Sequence, residues 1–187
     1  MTMVEKQQPG RSRPFKRYPT THILCYNVTT AAHYLLGGLG LIIGYESFRY
    51  GFLVGLAYIV FSFVQMYLIM PLAVCRNCSY FHIKGAVCVS GNNLISRRVA
   101  KPGRPKDFGK RAVGALSHNK LYMASLFLPV VLMAPMLWFD FSYPLLALLI
   151  SVIGLLVFRM TILFRLVACC HCYMKTSCPN ALAMGIR

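Results

Sequence analysis

Seven of the eight cysteines fall in two short stretches, and their spacing is that of metal ligands. PLAVCRNCSYFHIKGAVC carries Cys75, Cys78 and Cys88, and LVACCHCYMKTSCPNA carries Cys169, Cys170, Cys172 and Cys178. Both read as an apolar run, then C-x2-C, then a further cysteine. Two thiolates three positions apart can turn onto one ion, as in zinc and iron–sulfur knuckles. Two such pairs can supply four thiolates to one centre, and Cys75, Cys78, Cys169 and Cys172 are the simplest set. Cys88 and Cys178 could complete a second centre. Cys170, His82 and His171 are additional candidate ligands. A thiolate-rich donor set suits an iron–sulfur cluster or zinc, and the choice stays open. Arg76, Lys84, Arg165 and Lys175 lie nearby and are expected to favour the thiolate form.

Other uses of these cysteines compete with the metal reading. Reduced cysteines beside a membrane can be palmitoylated. They can serve as small buried apolar groups. They can also form disulfides, although a cytoplasmic face is reducing. The end of the second stretch, Cys178-Pro179, is similar to the close of the bacterial ferredoxin run, but the three close cysteines before it are missing. A four-helix membrane protein with C-x-x-C also resembles the quinone-linked disulfide oxidoreductases in that single motif. Here the motif falls on the opposite predicted side. The chain has no P-loop, G-x-S-x-G or HExxH. Its only acids are Glu5, Glu46, Asp107 and Asp140, which leaves almost no carboxylate for general acid–base work. His33 lies inside an apolar run, where polar groups are costly and often functional. It is a candidate quinone contact, with helix packing as the alternative.

The elements that must position these residues are membrane helices. The chain is 57% hydrophobic and 13% charged, against about 25% charged in soluble domains. A span needs roughly 20 apolar residues, and four stretches qualify: about 26–45, 51–74, 121–138, and 143 to 159 or 168. Short connections at 46–50 and 139–142 join them in pairs. The expected fold is therefore an all-α integral membrane protein, a four-helix bundle of two antiparallel transmembrane hairpins with a cytoplasmic cysteine-rich face. Its expected parts are a basic disordered tail (1–22), a first hairpin ending in a cysteine knuckle (23–78), a basic cytoplasmic loop (79–120), a second hairpin (121–172) and a cysteine-containing tail (173–187).

Orientation comes from charge. Twenty Lys+Arg face four Asp+Glu. The tail, the long loop and the C-terminal end hold most of the cations, and only Arg49 falls on the other side. The positive-inside bias puts both termini and the loop in the cytoplasm. Arg159 and Arg165 read as residues of the cytoplasmic helix end that snorkel to the surface. The basic loop KPGRPKDFGKR is superficially similar to a minor-groove DNA arm, but anionic lipid headgroups explain it better and no nucleic acid is expected. These features together point to an accessory or electron-transfer subunit of a membrane redox complex, with other subunits of that complex as partners and not an enzyme by itself. The alternatives are a non-catalytic scaffold or assembly protein with structural zinc, and a thiol–disulfide oxidoreductase.

Overall fold

The computed structural model describes residues 13–46, 49–114 and 116–186. Lys6, Arg11, Ser47, Phe48 and Arg187 lie outside them. The described chain is helical, and its isolated β-bridge pairs Arg17 with Val87. In order come α1 (Thr20–Gly44), α2 (Gly51–Val64), α3 (Ser79–His82), α4 (Asn92–Val99), α5 (His118–Phe139), α6 (Tyr143–Phe158) and α7 (Pro179–Ala183). α2 runs on without a break into a π-helical stretch, Gln65–Val74, and α6 into another, Arg159–Ala168.

Three helices are long and apolar enough to cross a membrane: Gly51–Asn77, His118–Phe139 and Tyr143–Ala168. The shortest has 22 residues, which at about 1.5 Å each reaches roughly 33 Å, enough for the hydrocarbon core. Only 28% of the most apolar window in each helix is buried inside the fold. The remaining apolar surface, including Leu53, Leu68, Val131, Ile150 and Leu166, needs lipid rather than water around it. α1 is as long, at 25 residues, but Asn27, Thr29, Thr30 and His33 dilute its apolar character. It packs against α2, α5 and α6, and its buried face carries Thr30, His33, Tyr34, Gly37, Gly38 and Leu41.

Small residues bring α1 and α2 together. A Cβ added at Gly55 would stand 2.5 Å from the Gly38 carbonyl oxygen, inside backbone contact distance. Gly40 instead faces Met133 of α5. Close approach of this kind is what small residues allow between membrane helices.

Three prolines interrupt the helical ladders, Pro71, Pro129 and Pro135, and side chains repair the gaps at the first two. In α5, Pro129 has no N–H to give the Ser125 carbonyl one turn earlier. The Tyr58 hydroxyl donates to that oxygen instead, at 2.8 Å. In the first π stretch each N–H reaches back five residues, so Pro71 leaves the Met66 carbonyl unserved. The Asn92 side-chain amide donates to it at 2.9 Å. One turn along α4, the Ser96 hydroxyl donates to the Pro71 carbonyl at 2.7 Å.

That repair alters the expectation for 79–120. The segment is not simply a solvated basic loop: α4 docks on the first π stretch. The Asn93 amide donates to the carbonyls of Tyr80 and Ala86. Arg97 donates to Phe81 and also to Tyr80 and Ile83. The 3-10 stretch Pro105–Ala112 holds Asp107 between Arg104 (2.8 Å) and Lys110 (2.9 Å). Lys110 first and Arg104 second keep the Asp107 carboxyl below its ordinary range.

Candidate functional site

The two C-x2-C knuckles have the same local construction. In each, the first cysteine closes the π stretch by donating its N–H five residues back: Cys75 to Met70 and Cys169 to Phe164. The second cysteine then turns back on the first, Cys78 N–H to the Cys75 carbonyl at 3.1 Å and Cys172 N–H to the Cys169 carbonyl at 3.2 Å. Gln65 and Arg159 open the two stretches at matching positions, and both are fully buried. The helix-to-knuckle repeat seen in the sequence is therefore also a repeat of backbone geometry.

Both knuckles come to one end of the bundle and pack together. Cys78 and Cys172 lie against two apolar clusters at once. One cluster, around Val74, Phe108 and Met174, also takes Cys169 and Cys178. The other, around Tyr18, Tyr80 and Ala86, also takes Cys88. The Ser79 hydroxyl reaches the Met174 sulfur at 2.8 Å, crossing from one knuckle to the other. The Met174 N–H approaches the Cys172 sulfur at 3.4 Å, the kind of contact that supports a thiolate. Cys169, Cys172 and Cys178 also line one cavity of about 140 Å³.

The structure thus gathers Cys78, Cys88, Cys169, Cys172 and Cys178 at one end, with Cys75 opening the first knuckle. It does not converge them on a point: among the described residues, no three His, Cys, Asp or Glu side chains are grouped to hold a metal ion. The donor chemistry suits a soft metal, but the thiols as placed do not form a ligand shell.

The additional candidates sit elsewhere. His82 is exposed beside Phe81. His171 stacks on Phe15 with ring centres 4.1 Å apart, and its Nδ1 lies 3.0 Å from the Arg13 carbonyl. Cys170 turns its sulfur to the Leu166 carbonyl at 2.8 Å. Burial pushes the Cys170 thiol up and outweighs the lowering by Lys175, contrary to the thiolate expected from the surrounding cations. His33 is buried, with Nε2 2.9 Å from the Leu126 carbonyl. That pairing requires a proton on Nε2, which leaves Nδ1 as an acceptor with no partner among the described residues.

Sequence reasoning missed two features. Residues 13–18, expected in a basic tail, thread between the knuckles. The Phe15 N–H donates to His171 at 2.9 Å, Tyr18 N–H to Val87 at 3.1 Å, and Val87 N–H to Lys16 at 3.0 Å. The Tyr18 hydroxyl donates to the Ala168 carbonyl, and that of Tyr80 to the Phe15 carbonyl at 2.7 Å. Burial, joined by nearby Tyr80 and Cys172, pushes the Tyr18 hydroxyl well above its ordinary value. Tyr80 is raised chiefly by burial as well.

The second missed feature is Arg159. It does not snorkel: it is fully buried, with its guanidinium flanked by the rings of Tyr26 (5.5 Å) and Phe164 (5.4 Å). Nη2 donates to the Tyr122 hydroxyl at 2.8 Å. Arg165, six residues further on, is exposed as expected.

Compared with known proteins, the chain matches no family model, no curated protein and no solved structure.

Proposed function

We propose that the chain is a four-span membrane protein, built of two antiparallel hairpins, that carries a paired-cysteine site on its cytoplasmic face. The observation that carries this reading is the meeting of the two knuckles, with Cys78 and Cys172 packed on the same two clusters. α1 serves as the remaining span, made polar on the face it turns toward α2, α5 and α6. Its partners in that face are protein groups, so its low hydropathy does not oppose insertion. Both termini and the basic segment then lie on the cation-rich side. Glu46 and Asp140 share a surface depression of about 570 Å³ at the opposite end of the bundle.

The site binds an iron–sulfur cluster or zinc through Cys75, Cys78, Cys169 and Cys172, with Cys88 and Cys178 beside them. When bound, the metal supplies electron transfer (cluster) or structural cross-linking (zinc). The supports are soft donors from two segments and a backbone N–H at the Cys172 sulfur. On this reading the protein is an accessory or electron-transfer subunit of a membrane complex, bedded in anionic lipid. His33, whose Nδ1 can accept from a quinol hydroxyl but not from a quinone carbonyl, is the candidate quinone contact.

The test is metal analysis with an optical spectrum on protein purified without oxygen. The cluster form gives visible absorbance and iron; the zinc form gives stoichiometric zinc and no colour. Either is lost in Cys78→Ser/Cys172→Ser. A folded, metal-free preparation would overturn the metal reading. A second reading, thiol–disulfide exchange, rests on the packing of Cys78 and Cys172 on the same two clusters. A mixed disulfide trapped by Cys172→Ser in metal-free protein supports it.

A further inference from the structure

Arg159 is a permanent cation sealed inside a membrane helix, and no acid among the described residues balances it. The four helices α1, α2, α5 and α6 and their π extensions contain no Asp or Glu. Among the described residues, Asp107 is held by Arg104 and Lys110, and Glu46 and Asp140 are at the far end of the bundle. Arg159 is 0% exposed, and its Nε and Nη1 have no hydrogen-bond partner among the described residues. Leaving such donors unmet costs several kcal/mol. Within membranes, an unbalanced charge commonly marks the counter-ion of a bound group.

Its surroundings match that use. The Tyr122 hydroxyl, which accepts from Arg159, stands 3.3 Å from the Tyr26 hydroxyl. Tyr26, Tyr122 and Phe164, the three rings that hold the guanidinium, also wall the cavity of about 140 Å³ that reaches the cysteines. Met70, Val89 and Met184 make much of the remaining wall apolar. Lys175, 7% exposed, lines it as well. The cavity therefore has a cation behind its inner wall, a second cation on its lining, no acid among the described lining residues, and apolar sides.

We propose that this cavity binds an oxyanion carried on an apolar body, with the Tyr122 hydroxyl on its wall as the contact and Arg159, behind that wall and hydrogen-bonded to Tyr122, as the counter-charge. The two sources of that chemistry are a long-chain carboxylate and the headgroup phosphate of an anionic lipid. The site does not require a metal on the knuckles, so its failure and that of the metal reading are separable.

The experiment measures thermal unfolding and binding for the full chain in phosphatidylcholine nanodiscs. The probes are oleate, oleyl alcohol and phosphatidylglycerol. A ligand that prefers the folded state raises Tm with concentration. Oleate is expected to raise Tm and oleyl alcohol to leave it unchanged. Arg159→Gln is expected to weaken oleate binding at least about tenfold, while Arg165→Gln, at an exposed cation in the same helix, leaves it intact. If phosphatidylglycerol gives the Arg159-dependent shift and oleate adds nothing, the oxyanion is the lipid phosphate and the proposal stands. Equal shifts from oleate and oleyl alcohol, or undiminished binding by folded Arg159→Gln, would overturn it. Should Arg159→Gln fail to fold, Tyr122→Phe keeps the cation and removes the contact. Unchanged binding in Tyr122→Phe would then count against the site.

Discussion

At the residue scale, several side chains act by doing work the backbone cannot. Tyr58 serves the carbonyl freed by Pro129, and Asn92 serves the one freed by Pro71. Tyr58→Phe is expected to lower stability by about 1–3 kcal/mol, because it leaves a buried oxygen unpaired. Restoring the N–H with Pro129→Ala should recover part of that loss, read as a double-mutant cycle on Tm. Tyr18 and Tyr80 give a pH signature. Burial raises both hydroxyls above the unfolded value of about 10. Their contribution is complete below that pH and is lost as pH rises above it, since the unfolded chain releases those protons first. An unfolding series from pH 8 to about 11 should show stability falling above about pH 10, and less steeply in Tyr18→Phe. None of these roles was legible in the sequence. A proline reveals which carbonyl is freed, but only the fold reveals which donor reaches it.

At the element scale, the helices were largely legible. Apolar runs gave the expected 51–74 and 121–138, against Gly51–Val74 and His118–Phe139 in the structure. The run from 143 was ambiguous because Arg159 interrupts it, and an arginine there reads as a membrane edge. The helix instead passes it and ends at Ala168, so Cys169 follows the helix directly, as Cys75 does. The π stretches were invisible because hydropathy does not record whether an N–H reaches back four residues or five. Their consequence is that both knuckles begin with the same backbone hydrogen bond reaching five residues back. Close packing of α1 and α2 is the element-scale prediction. Gly55→Leu should destabilise by roughly 1–3 kcal/mol or more through overpacking. Gly154→Leu, where an added Cβ meets nothing within 4 Å, should be near neutral in the same Tm measurement.

At the scale of the whole molecule, charge is sorted by end. The basic segments gather with the cysteines, while Glu46 and Asp140 lie together at the other end. If the positive-inside reading holds, a protease attacks the 101–111 stretch in inverted membrane vesicles and leaves it intact in right-side-out ones. The reverse pattern would place the cysteines in the oxidising compartment and shift the reading toward disulfides. Spacing made the gathering of the cysteines legible; it could not reveal whether their sulfurs point at a common centre, which depends on side-chain rotation and on what else fills the end of the bundle.

Residues 13–18 also have a consequence in time. They are made well before their partners Ala168 and His171, which come 150 and 156 positions later for Tyr18 and Phe15 respectively. The cysteine end can only be closed once residues 168–171 have been made and brought against residues 13–18. Whatever enters it must be admitted after those later residues are made, or wait in the bilayer for the two segments to meet over it.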